Sequence, residues 1–164
     1  HMTSEAKQDF MLRISEANKS RMVVILYDMF LTYVKESVTS RSGKEYTLED
    51  LETYRIGIRN AKAVLRELIE SLNMEYDIAR RTYQIYRFVE RELIMADIRR
   101  DPEGLPGVIK IMKSLRDAYE EATEADDSEP LMKNTDMIYA GMTYGKGTLA
   151  TGSRAAGTNR GFLA

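Results

Sequence analysis

At 164 residues, 43% hydrophobic and 30% charged, the chain has the length for one domain with a real core and the balance of an ordinary globular protein. Its net charge of −2 leaves no broad basic field for nucleic acid or anionic lipid. Cysteine is absent, and the single histidine, His1, heads a His1-Met2 pair that reads as an expression scar, so thiol chemistry is excluded and the commonest general base and metal ligand is missing. No catalytic residue, metal site or cofactor is therefore expected. The first twenty residues are polar and mixed, unlike a secretory signal. The longest apolar run, Met22 to Val34, holds Asp28 and Thr32 and is too short to span a bilayer. A cytoplasmic protein without membrane insertion is the expectation.

Residues 1–16 read as a short N-terminal arm, mobile but able to dock through Phe10, Met11 and Ile14. The first strong helix starts at Asn18 or Ser20, either of which can cap it, and runs to about Val38. Met22, Val23, Leu26, Tyr27, Phe30, Tyr33 and Val34 share one face, with Val24, Ile25, Met29 and Leu31 outside it. Only Asp28 and Lys35 mark a polar strip, the pattern of a central buried helix.

The second helix opens with Thr47 as N-cap and Asp50 three positions on, with Tyr46 placed to staple against Leu51. It runs to about Leu72 with Leu51, Tyr54, Ile58, Ala61, Leu65, Leu68 and Leu72 on its core face. Gly57, costly in a helix by roughly 1 kcal/mol against Ala, implies close approach by a neighbour. The third helix spans about Tyr76 to Arg100 and ends at Asp101-Pro102. The fourth becomes regular near Pro106 or Val108, carries Val108, Ile111, Met112, Leu115, Ala118, Tyr119 and Ala122 at core spacing, and frays after Glu124. The expected architecture is all-α: an antiparallel four-helix bundle over residues 17–125, preceded by the arm. From 126 to 164 a flexible, Gly-rich tail is expected, holding six of the ten glycines.

Function should lie in surplus apolar surface. On the third helix Ile78, Thr82, Ile85, Val89, Leu93 and Ala96 suffice for a core face, with Tyr86 at its edge. Phe88 and Met95 occupy one flank; Tyr83, Ile94 and Ile98 occupy the other. Left in water, each large side chain forgoes about 1.5–3 kcal/mol of burial. These five residues are the candidate groove for a partner's amphipathic helix, and ten methionines would help such a surface adapt. In the tail, Met137, Ile138, Tyr139, Met142 and Tyr144 are candidates to cover that groove when the partner is absent.

Other motifs carry little. Gly141 to Thr148 has one residue too few for a phosphate loop, and Gly147 follows its lysine. Glu90 and Asp97 lack the histidine that a di-iron bundle requires. Arg80-Arg81 and Arg99-Arg100 read as solvated surface.

Four segments, in order, resemble the FliS family of flagellin export chaperones. ANKSRMVVILYDMFL from Ala17 is similar to the start of that family's helix one: Leu26, Tyr27 and Asp28 match, while Met29 replaces a glycine. LIESLNMEY from Leu68 resembles the end of helix two. IARRTYQIYRFVERELIMADIRRD from Ile78 resembles helix three through Ile85, Tyr86, Arg91, Leu93, Ala96 and Asp101, with Glu92 and Asp97 departing. SLRDAYEEA from Ser114 resembles the end of helix four, with Tyr119 where tryptophan is common. The resemblance covers about residues 17–125. It implies a non-enzymatic bundle that binds the disordered C-terminal segment of flagellin, blocks premature polymerisation and presents the subunit to the flagellar type III export gate. The alternative is a helical regulator or scaffold that binds another amphipathic helix or self-associates. Two features depart from the family: the N-terminal segment is short, with Phe10 its nearest aromatic, and the long glycine-rich tail is not general.

Overall fold

The computed structural model describes residues 2–124; His1 and the tail candidates Met137, Ile138, Tyr139, Met142 and Tyr144 lie outside them. Among the described residues all regular structure is helical: α1 (Ser4–Glu16), α2 (Lys19–Val38), α3 (Leu48–Glu70), α4 (Asp77–Arg99), a 3₁₀ turn (Pro102–Gly104) and α5 (Leu105–Thr123). No helix among them is long and apolar enough to cross a membrane.

The segment expected to be a mobile arm is helix α1. Thr3 caps it, its Oγ1 accepting from the Ala6 N–H at 3.1 Å. Phe10 and Ile14 are buried, and Met2 joins the same core. Burial of two large side chains supplies the anchoring that so short a helix needs, since isolated helices below about 12–15 residues are marginal in water. Of the two candidate caps for α2, Asn18 is the one used: its Oδ1 accepts from the Arg21 N–H at 3.0 Å.

Helix α2 is the centre. Val24, Ile25, Met29 and Leu31, outside its main apolar face, are buried along with that face, of which only Tyr33 is half-buried. α3 folds back on it, opened by a full capping box: Thr47 accepts from the Asp50 N–H, and the Asp50 carboxylate accepts from the Thr47 N–H at 3.1 Å. The carboxylate also takes the Ser42 N–H at 3.2 Å, which ties the preceding loop to the cap. These bonds, led by the one from the Thr47 backbone, hold the Asp50 pKa below its usual value. Gly57 lies against α2, where a Cβ would stand only 2.7 Å from the Tyr33 carbonyl oxygen and would also strike Ser37. The Ser37 hydroxyl, buried there, donates to the Tyr54 carbonyl at 2.7 Å.

The end of α4 is bound to α3. Ala96 O accepts from the Arg100 N–H, from the Asp101 N–H at 3.3 Å and from the Tyr54 hydroxyl at 2.6 Å. Arg100 closes the helix in the left-handed conformation, φ 53° and ψ 38°, where glycine is usual. Asp101 then caps the 3₁₀ turn, and α5 becomes regular at Leu105, earlier than the sequence suggests. The Leu105 N–H donates to the Pro102 carbonyl of the turn, and Pro106, in the first turn of α5, has no N–H to leave unpaired.

The polar strip on α2 is a junction between helices. Asp28 accepts from Arg13 Nη2 of α1 at 2.6 Å and from Arg116 Nε of α5 at 2.8 Å. The hydrogen bond to Asp28 is the main cause that raises the Arg116 pKa above its ordinary value. One carboxylate therefore fastens both ends of the chain's described part to the central helix.

Candidate partner-binding groove

The face that α4 turns inward differs from the expected one. Ala79, Thr82, Tyr86, Val89, Leu93 and Ala96 are buried, and Tyr86, expected at the edge, is 0% exposed. Ile78, expected in the core, is 54% exposed, and Ile85 is half-buried. The physical reason is a pairing of phenols. The Tyr86 and Tyr27 hydroxyls share a hydrogen bond in the core, and the two ring centroids lie 6.4 Å apart. A buried hydroxyl without a partner costs about 1–3 kcal/mol, so the helix rotates to bring Tyr86 onto α2. That rotation carries Ile78 and Ile85 outward.

A second difference completes the site. In α5, Leu105, Val108 and Met112 are buried as a core face, but beyond them the helix opens: Leu115 and Tyr119 are half-buried, and Ala118 and Ala122 are exposed. Between the first half of α4 and the second half of α5 lies a groove of about 440 Å³. Ile78, Arg81, Thr82 and Ile85 form its α4 wall; Leu115, Ala118, Tyr119, Ala122 and Thr123 form its α5 wall; Ser20 and Val23 of α2 close the floor. Ala118 and Ala122 keep it open, since neither can reach across to α4. From Ile78 to Ile85, as from Leu115 to Ala122, is two helical turns, about 10 Å.

The groove is mostly apolar. Tyr119 stacks on Tyr27 with centroids 5.6 Å apart, so its ring faces the core on one side and the groove on the other. Burial raises the Tyr119 pKa, offset in part by a hydrogen bond with Thr82. Burial likewise pushes Tyr27 and Tyr86 well above the ordinary phenol range, so all three stay neutral. Arg81 is the one charged residue among those described as lining the groove, and it pairs with Asp77 at the rim. Among the described lining residues none pairs a nucleophile with an adjacent base; they can exclude water and accept apolar side chains.

The flank residues named from sequence stand elsewhere. Phe88, Ile94 and Ile98 are exposed, Ile98 most of all at 71%, while Tyr83 and Met95 are half-buried. Tyr83 lies under the Arg87 guanidinium, 5.9 Å from ring centroid to carbon. None of the five lines the α4–α5 groove. Residues that do line it, Ile78, Ile85, Leu115, Ala118, Tyr119 and Ala122, stand at core spacing in the sequence. Their spacing is indeed helical and apolar, and spacing does not distinguish a core from an open channel. The pair of alanines one turn apart was the available signal, being too small to fill the space facing them.

Two other hollows have different chemistry. One of about 250 Å³, lined by Arg13, Glu16, Arg21 and Glu120 with Val24, Ile25 and Thr123, is largely charged. Another of about 410 Å³ sets Leu48, Leu51 and Ile56 among Glu52, Arg55, Arg59 and Arg100.

In comparison with known families, residues 2–126 match the family described as "Flagellar protein FliS", a match that takes in α1 as well as the helices that follow. A comparison with curated proteins finds no match.

Proposed function

The chain belongs to the FliS family of flagellar export chaperones, and from that premise we propose that it holds the C-terminal segment of flagellin along α4 and α5. In this role α2 to α5 act as an antiparallel four-helix scaffold in the bacterial cytosol. The protein is a binder and not an enzyme. It keeps flagellin from polymerising early and delivers it to the flagellar type III export apparatus through contacts with the export gate.

The observation that carries the proposal is the apolar α4–α5 groove in a chain of this family. Two helical turns of wall suit the i, i+3/i+4 and i+7 anchors of an amphipathic helix. The client's flanking stretches would cover the separate apolar residues on α4: Phe88 and Met95 on one side, Tyr83, Ile94 and Ile98 on the other. A disordered segment that folds on binding loses entropy as it orders, so it needs a large apolar surface; one groove alone is too small, and the flanks extend it.

The experiment is calorimetry and circular dichroism on the full chain mixed with a flagellin C-terminal peptide. Micromolar or tighter binding with a marked gain in helicity is expected. Failure to bind, both in the intact chain and after residues 126–164 are removed, would sink the proposal in favour of a scaffold for some other helix.

A further inference from the structure

Thr123, the last residue of α5, is itself part of the groove's wall. The chain therefore leaves the described structure at the mouth of its own binding site. It continues for forty residues, 125–164, and their apolar positions begin close by. Asp126, Asp127 and Glu129 come first, then Leu131 and Met132, then Met137, Ile138, Tyr139, Met142 and Tyr144.

We propose, building on the client-binding role of the α4–α5 groove, that the segment Leu131–Tyr144 of the same molecule occupies that groove and competes with the client. Reach permits it. The fourteen residues from Thr123 to Met137 can span up to about 46–50 Å, against roughly 12 Å of α5 from Leu115 to Thr123. Charge complements it: the acidic run lies between α5 and the apolar segment, and Arg81, with its side chain 79% exposed, stands on the groove's rim. Tethering makes weak contacts sufficient. A short linker gives an effective concentration of about 1 mM, so an intrinsic dissociation constant of about 0.1 mM fills the groove about nine-tenths of the time. The groove is then open in about one molecule in ten, and client affinity falls about tenfold.

The absence of cysteine gives a direct test, independent of flagellin. Ala118 is exposed on the groove wall, and nothing lies within 4 Å of a Cβ added at Gly43 in a loop. In the full chain, single variants Ala118→Cys and Gly43→Cys are reacted with an uncharged maleimide, each with and without Met137→Glu, Ile138→Glu and Tyr139→Glu. The Ala118→Cys thiol is expected to react about tenfold faster once the tail carries the glutamates, at every protein concentration, while the Gly43→Cys thiol keeps its rate. An unchanged Ala118→Cys rate overturns the proposal. So does protection that grows with protein concentration, which would mean that the tail of a second copy fills the groove. Equal acceleration at both thiols, reporting a general loosening, overturns it as well. None of these outcomes bears on flagellin binding, which is decided by the peptide titration.

Discussion

The Tyr27–Tyr86 pair sets the orientation of α4 and so the existence of the groove. Its two hydroxyls are buried and hydrogen-bonded to each other. Tyr86→Phe strands the Tyr27 hydroxyl and should cost about 1–3 kcal/mol, whereas Tyr27→Phe with Tyr86→Phe together should cost less than the sum of the single changes. Urea melts of the three variants measure this; additive losses would mean that the two phenols do not depend on each other. The same pair predicts alkaline sensitivity. Both folded-state pKa values lie above 10.0, so unfolded tyrosines lose their protons first and stability falls as pH rises past about 10. Each buried phenol removes up to about 1.4 kcal/mol per pH unit in that range. The urea midpoint should drop between pH 8 and pH 11 in the parent and drop less steeply in the double Phe variant. Sequence alone could place Tyr86 on an apolar helix but not at its centre, because two tyrosines fifty-nine positions apart show no sign of being partners.

At the scale of elements, caps and breaks were the most legible features. Thr47 with Asp50 and Asp101 with Pro102 act through neighbours in sequence, so local chemistry announces them. Gly57 was legible for the opposite reason: a glycine inside a long helix has a local cost and therefore marks a close neighbour. Gly57→Ala gains up to about 1 kcal/mol of helix propensity but sets a methyl against the Tyr33 carbonyl and Ser37, an overpacking that costs about 1–3 kcal/mol. A net loss of stability in thermal melts is expected, and a gain would show that α2 and α3 can move apart freely. The end of α4 offers the contrary change. Arg100 holds φ 53°, so Arg100→Gly should stabilise by about 0.5–1 kcal/mol, read as a higher urea midpoint. What the sequence could not reveal at this scale is which turn of α5 stays in the core. Val108 and Ala118 obey the same periodicity, and only the distance to α4 separates a packed turn from an open one.

For the whole molecule, the groove is the testable unit. Ala118→Asp places a charge where apolar client side chains would settle; with residues 126–164 removed, so that release of the competing tail does not offset the loss, it should weaken flagellin-peptide binding at least about tenfold, since a buried unpaired charge is costly. Because Ala118 is exposed, the melting temperature should change little. A variant that melts early would point to a core position, and one that binds normally would move the client to the Phe88 and Ile98 flanks. The all-helical class and the buried status of α2 followed from periodicity, and the family from short motifs in order. The groove itself did not, since it arises where α4 turns Tyr86 inward and the second half of α5 leaves Leu115 and Tyr119 half-buried, and neither is written in one segment.

The clasp at Asp28 has a consequence for how the molecule is made. Arg116 lies eighty-eight residues downstream, and Tyr119, which covers the Tyr27 ring, lies later still. Translation at about 5–20 residues per second puts roughly 4–18 s between the appearance of α2 and that of the residues that close over it. During that interval the most apolar of the described helices is only partly sheltered on the ribosome. A protein proposed to guard another's unfinished surface thus begins life with the same exposure, and its last described helix is what ends it.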